Sequence, residues 1–216
     1  MSDTPPFPRA RRLAGCLPAY GGPGEDPEPP ENGGTAAVSL ALRGVAEGDP
    51  ELLLIKRAQA GGDPWSGQMA LPGGRRDQGD VSLLATAIRE TREETGVDLP
   101  ARESDDCRGF LGCLPPVAPV SSHLPAITIV PFVFGLPPGT IAEPRSVEVA
   151  STHWVRLQRF RDREARATIR LNHSGNEIRF PAVRTPSDDP VWGITYRIVM
   201  DLLERMEEEG GAGKPG

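Results

Sequence analysis

The stretch LPGGRRDQGDVSLLATAIRETREETGVDL, Leu71 to Leu99, decides how this chain is read. It sets two glycines before a turn-rich segment and runs directly into a helix expected from Ser82 to Thr95, which Gly96 stops. Each helical residue advances about 100°, so Glu90, Glu93 and Glu94 fall on one arc and can aim oxygens at one point. Leu84, Ile88, Thr91 and Thr95 form a neighbouring, mostly uncharged stripe suited to packing on a sheet. Like charges at i, i+4, here Glu90 and Glu94, cost roughly 0.2–0.5 kcal/mol in an isolated helix, so a nearby cation should offset them. Clustered hard oxygen ligands suit Mg²⁺ or Mn²⁺ and give no reason to expect zinc. Alone, RETREET also reads as a solvated helix face with Arg89 and Glu93 as an ion pair. Gly73 and Gly74 shift that balance, because bare backbone there can approach an anion or present a carbonyl to a metal.

Working outward, AAVSLALR and ELLLIKR are β-prone runs separated by a turn at Gly44 to Pro50, expected as a hairpin or two adjacent strands. AQAGGDPWSGQMALPGG is expected as a long loop. FLGCL, AITIVPFVFGL and VEVASTHWV are strand candidates between proline-rich turns, and EIRFPAV reads as a short edge strand. A last helix is expected from Val191 to Glu208, with Val191, Ile194, Ile198, Leu202 and Met206 on one buried face. The pattern is α+β. Residues 1–34, containing GGPGEDPEPPENGG, have too little apolar surface to offset ordering entropy and are expected as a disordered tail. Residues 35–208 form the expected domain, and residues 209–216 a second disordered tail.

A length of 216 residues suits one domain with a proper core. No apolar run approaches the roughly 18 residues of a membrane helix, so no membrane partner is expected. The formal charge of −6 argues against a nucleic-acid polymer, while a local basic site can still hold a small phosphorylated ligand. Cys16, Cys107 and Cys113 show no CxxC spacing and suit reduced thiols in a cytoplasmic compartment. His123, His153 and His173 are scattered, which speaks against a zinc site. Leu13 to Cys16 imitates a lipoprotein cleavage site, but Arg9, Arg11 and Arg12 leave no apolar region before it.

The central stretch resembles the Nudix box, G-x5-E-x7-R-E-U-x-E-E-x-G-U, with U a bulky aliphatic residue. Arg89, Glu90, Glu93, Glu94, Gly96 and Val97 match the second half, and Thr91 replaces the aliphatic. Counting back from Arg89, the early Glu falls on Val81 and the first Gly on Arg75; Asp80 and Gly74 each lie one place earlier. A turn longer by one residue reconciles both offsets. GGRRDQGD with this longer turn looks like the branch that includes coenzyme A pyrophosphatases. LLIKRAQAGGDPWSGQMALPGG is similar to that branch's signature L-L-T-x-R-[SA]-x3-R-x3-G-x3-F-P-G-G at Leu53, Leu54, Arg57, Ala58, Gly67, Pro72, Gly73 and Gly74. It lacks the second Arg, carries an additional residue before Gly67 and has Leu71 for Phe. VWGITYRIVMDLL resembles the helix that closes this branch.

The resemblance implies a Nudix fold, a mixed β-sheet sandwiched between helices, with Mg²⁺ or Mn²⁺ as cofactor. It implies Glu90 and Glu94 as metal ligands, Glu93 as a further ligand or water-orienting base, and a Gly74 carbonyl as an additional ligand. Arg89 is expected to fix carboxylate geometry, and Glu148 stands where several Nudix enzymes carry a distal acid, though it also reads as an exposed strand charge. Arg57, Gly73, Gly74, Arg75 and Arg76 are expected around substrate phosphates. The implied reaction is cleavage of coenzyme A or acyl-coenzyme A to 3′,5′-ADP and 4′-phosphopantetheine products. Another nucleoside diphosphate derivative, such as ADP-ribose or an oxidised nucleotide, and a non-catalytic ligand sensor remain alternatives. The resemblance also leaves a homodimer open.

Overall fold

The computed structural model describes residues 15–45, 50–62, 65–101, 109–119, 126–173 and 176–211. In chain order these form β1 (Gly34–Arg43), β2 (Glu51–Arg57), β3 (Met69–Ala70), β4 (Gly73–Arg75) and α1 (Leu83–Thr95). There follow β5 (Phe110–Cys113), β6 (Ile127–Leu136), β7 (Val149–Arg156), β8 (Arg166–His173), β9 (Asn176–Arg184), β10 (Pro190–Trp192) and α2 (Gly193–Gly211).

Period-two alternation in β1, β2 and β6 builds two cores, one on each face of the main sheet. Ala37, Ala41, Leu53, Phe132 and Phe134 pack with Leu83 and Ala87 of α1. Leu40, Leu42, Leu52, Leu54 and Val133 face the other way and pack with Ile198, Leu202 and Met206 of α2. The sheet is therefore sandwiched between helices, as expected, and mixed: β1 runs parallel to β6 along its whole length, while its other pairings are antiparallel. Strand order is β3-β2-β1-β6-β5, with β4 also on β1 and β7 on β2.

The expected hairpin is only a splayed one. β1 and β2 share the pairs Leu42↔Leu52 and Arg43↔Glu51, then diverge, so that β4 takes Ala36 to Val38 of β1 and β3 takes Ile55 and Lys56 of β2, while β7 pairs β2 from Glu51 to Arg57. That divergence opens the sheet at the glycine strand. The long loop expected before the helix thus carries two short strands, β3 and β4.

Four expectations are corrected. EIRFPAV is the middle strand of a second antiparallel sheet, β10-β9-β8, because β8, not anticipated, pairs with it throughout. Val191 is fully buried but lies in β10, since Pro190 precedes it and the helix begins only at Gly193, with φ 64°. Residues 15–33 are not a free tail: Leu17 enters the core, and the Tyr20 ring packs edge-on against Phe132 at 5.1 Å. A few apolar anchors offset the ordering of a segment whose average composition is polar. The C-terminal helix runs to Gly211, past the expected boundary. Residues 1–14 and 212–216, like Cys107 and His123, lie outside the described residues.

Candidate active site

Local capping sets the position of α1. Ser82 is extended, and its Oγ accepts from Ala85 N at 3.1 Å; Gly96 closes the other end in the left-handed region with φ 70°. Rotation about the helix axis is fixed by a buried polar pair. Thr91 Oγ1 donates to Ala87 O at 2.7 Å, so Ser39 Oγ on β1 is the donor in the 2.7 Å Ser39–Thr91 bond. Thr91 at the aliphatic position is therefore matched by a serine across the interface.

This orientation turns Glu90 and Glu94 toward β4. Gly73 N donates to Glu94 Oε2 at 2.9 Å. Gly73 has φ 147°, and a side chain there would strike the Ala37 carbonyl. At Gly74, a Cβ would run into the Glu90 carboxylate. Gly73 is thus close-packed on the backbone of β1, which only glycine allows, and Gly74 lies against the Glu90 carboxylate of the acidic helix.

The three glutamates do not share one environment. Glu94 is buried, and loss of solvent pushes its carboxyl up to about 8, against the lowering effect of the Gly73 N–H; Glu90 and Glu148 push it further up. Glu90 is also raised, chiefly by burial, although Arg89 Nη1 lies 2.9 Å from its Oε1. Glu93 is largely exposed and is held by Arg89 Nη1 at 3.1 Å. Among the described residues, no three His, Cys, Asp or Glu side chains stand together as a preformed metal cage. The expected single arc is instead divided, because uncompensated carboxylates separate and two of them turn to Arg89. The residues still fit a hard divalent cation: Glu94 is a desolvated carboxylate with two further acids beside it.

Asp80 resolves the longer turn. Arg89 grips it with both arms, Nε to Oδ1 at 2.9 Å and Nη2 to Oδ2 at 2.8 Å. Asp77 N and Thr86 Oγ1 add bonds of 2.9 Å each, while Val81 is 75% exposed. The Arg89 hydrogen bonds hold the Asp80 carboxyl well below the usual carboxylate range. Arg89 in turn spans Asp80, Glu90, Glu93 and the Arg75 carbonyl.

A cleft of about 1310 Å³ joins this motif to the second sheet. Arg57, Gly73, Gly74, Arg75, Glu90, Glu93, Glu94 and Glu148 all line it, so the fold brings together every expected site residue except two. Arg89 lies behind the acids. Arg76 is the departure from expectation: it bonds Asp26 Oδ2 at 3.2 Å and the Asp80 carbonyl, so it braces the turn and is absent from the cleft wall. Glu148 comes from the segment just before β7, where Ala58 N binds its carbonyl at 2.7 Å. The opposite wall was missed by sequence reasoning. Leu171, Ile178, Phe180 and Trp192 line it, and alternation of Ala167, Ile169 and Leu171 in β8 was the available signal.

A mixed sheet between two helices closes a glycine strand on an acidic helix, an arrangement whose carboxylates can hold a divalent cation against a phosphoanhydride. The NUDIX domain family model matches residues 35–173, and the chain belongs to the Nudix family. It is 30% identical to the uncharacterized Nudix hydrolase NudL of Photorhabdus laumondii over 84% of this chain and 91% of that protein. It is 36% identical to an uncharacterized Schizosaccharomyces pombe protein over 58% of this chain, but that match spans 37% of the yeast protein's length. The crystal structure of a MutT/nudix family protein from Enterococcus faecalis shares the fold, with a TM-score of 0.55 at 18% identity, over 86% of this chain and 66% of that one.

Proposed function

We propose that this Nudix hydrolase is a divalent-metal-dependent pyrophosphohydrolase of coenzyme A and acyl-coenzyme A, releasing 3′,5′-ADP and 4′-phosphopantetheine or its acylated form. The observation that carries this reading is the two-ended cleft. One end offers Glu90, Glu94, Arg57 and Arg75, and the other an apolar wall of Leu171, Ile178, Phe180 and Trp192. Its volume of about 1310 Å³ exceeds the roughly 300–1,000 Å³ usual for small-ligand pockets. A substrate with an anionic nucleotide half and a long, weakly polar arm matches both ends. The similarity of Leu53 to Gly74 to the coenzyme A signature supports the same substrate.

Glu90 and Glu94 are the ligands for Mg²⁺ or Mn²⁺, with the Gly74 carbonyl beside them and Glu93 as a further ligand. The bound ion supplies charge neutralisation on the phosphoryl oxygens and acidifies water. Arg57 and Arg75 hold substrate phosphates, whereas Arg76 is left out of that role because its guanidinium is committed to Asp26 and the turn. Glu148, exposed in the cleft and near enough to Glu94 to act on its carboxyl, or Glu93 orients the attacking water as general base. Arg89 positions the acids and does not touch substrate.

One observation favours a second reading: the signature's second arginine is missing, which removes one partner for a 3′-phosphate. A nucleoside diphosphate derivative lacking that phosphate, such as ADP-ribose, would then be preferred. Incubation with Mn²⁺ and a panel of coenzyme A, acyl-coenzyme A, ADP-ribose, dinucleoside polyphosphates and oxidised dGTP, with products read by mass, separates the two. Coenzyme A or its acyl derivatives should show the highest kcat/KM. Preference for any substrate without the pantetheine arm overturns the proposal.

A further inference from the structure

We infer that Asp26, nine residues before the matched family domain begins, is a positioning residue that ties the N-terminal segment to the metal-facing carboxylates. This rests on the metal site proposed above. The Asp26 side chain is only 5% exposed and receives three donors from three separate parts of the chain. Tyr20 OH donates to Oδ1 at 2.6 Å, Leu83 N to Oδ2 at 3.0 Å, and Arg76 Nη1 to Oδ2 at 3.2 Å.

Each partner fixes something the site needs. Leu83 N is the first amide of α1, one of the donors a helix leaves unsatisfied at its start, and a carboxylate there also suits the helix dipole. Arg76 reaches onward to the Asp80 carbonyl through Nε at 3.3 Å and Nη2 at 3.2 Å. Asp80 clamps Arg89, and Arg89 holds Glu90 and Glu93. Tyr20 anchors the other end, its ring edge-on to Phe110 and Phe132 at centroid distances of 6.5 and 5.1 Å. The result is one polar chain, Tyr20–Asp26–Arg76–Asp80–Arg89–Glu90, from an apolar anchor to a metal-facing acid. Asp26 clamps both ends of the turn between β4 and α1, so it sets the spacing between the glycine strand and the glutamates. Its removal releases Arg76 and the start of α1 together.

The test is Mn²⁺ binding by the full chain, followed by isothermal titration and by the loss of the free-ion electron-spin signal, neither of which requires turnover. Asp26→Asn keeps the shape and removes the charge that holds Arg76. It should weaken Mn²⁺ binding about tenfold, the lower edge of the effects of ligand-orienting partners. Tyr20→Phe, which keeps the ring and loses one bond to Asp26, should weaken it less than Asp26→Asn. Leu203→Ala, in the core on the far face of the sheet, serves as a destabilised control and should leave Mn²⁺ affinity unchanged. Wild-type affinity in Asp26→Asn, or equal weakening in Leu203→Ala, overturns the inference. A wild-type chain that binds no Mn²⁺ overturns the metal reading and this inference with it. A chain that binds Mn²⁺ with the predicted dependence on Asp26 yet leaves coenzyme A intact overturns only the substrate proposal.

Discussion

Asp80 and Glu94 stand 14 positions apart in the same motif; the Asp80 side chain is 7% exposed in a half-buried residue, and Glu94 is buried as a whole residue. Their electrostatics are opposite. Asp80 receives both arms of Arg89, a backbone amide and a threonine hydroxyl, and its carboxyl is held far down. Glu94 accepts a hydrogen bond from Gly73 N, and burial, with smaller contributions from Glu90 and Glu148, pushes its carboxyl up to about 8. Burial alone therefore does not decide a carboxylate's role; its donors do. A saturated carboxylate is a strut, and a desolvated one among other acids is a place for a cation. The largest effect that tests this contrast is Glu94→Gln. It should lower kcat for pyrophosphate cleavage at least about a hundredfold, on the scale of removing one preorganised charged contact. It should also raise the melting temperature of the metal-free protein near neutral pH, because folding no longer has to place a proton on a buried carboxyl that is ionised in the unfolded chain. Equal turnover in mutant and wild type, measured with saturating Mn²⁺, would sink the assignment of Glu94.

Asp80→Asn attacks the strut. Losing one partner of a largely buried, two-armed ion pair should cost about 2–4 kcal/mol, the lower value allowing for the 29% exposure of Arg89. Denaturant unfolding reads this directly, and an unchanged midpoint would show that the turn does not depend on the clamp. Stability should fall here and rise in Glu94→Gln, a difference in sign that no common effect of burial can produce.

The two groups also predict opposite pH responses. Asp80 has its folded pKa lowered, so its contribution is present above the ordinary carboxylate range and is lost as pH falls through its folded value. Glu94 has its folded pKa raised to about 8, so the folded state holds a proton that the unfolded chain has already released above about pH 4.3. Stability of the metal-free protein should therefore decline from about pH 5 toward pH 8. Saturating Mg²⁺ should flatten that decline by replacing the proton as counter-charge. Thermal melts at several pH values, with Mg²⁺ and with chelator, check both limbs; a metal-free melting point that rises from pH 5 to pH 8 contradicts the burial of Glu94 as an isolated acid.

How far the sequence carried this contrast follows from the range of the forces involved. The helix, its Ser82 cap and its Gly96 stop were legible because capping and 3.6-residue periodicity are local. The one-residue offset that put Asp80 opposite Arg89 was legible because Gly74 shared it. The division of Glu90, Glu93 and Glu94 among different partners was not, since it depends on where β4 and Arg89 sit in space. Arg76 looked like a phosphate ligand beside Arg75, but it follows the end of β4 and its guanidinium is drawn to Asp26 and the Asp80 carbonyl, so that of the two only Arg75 lines the cleft. The apolar wall was hidden for another reason. Trp192 reads as the start of a helix, whereas pairing with β9 places it beside Phe180, ring centroids 5.5 Å apart. Tyr20 and Asp26 were lost inside a segment whose composition suggested no structure.

The smallest expected effect lies between the strut and the metal-facing acid, at Ser39 and Thr91, both fully buried. The Nudix box wants an aliphatic residue where Thr91 stands, so Thr91→Val looks like an improvement. It leaves the Ser39 hydroxyl with Pro72 O at 3.5 Å, too long for a good bond. Thr91→Val should therefore cost about 1–2 kcal/mol, the price of a buried hydroxyl left without a partner. Ser39→Ala should cost less, since Thr91 keeps its bond to the Ala87 carbonyl. Replacing both removes the polar pair together, and the double variant should recover most of the loss, with a coupling of about 1 kcal/mol in a double-mutant cycle. Additive losses would mean that Thr91 acts alone and that the pair does not set the rotation of the acidic helix.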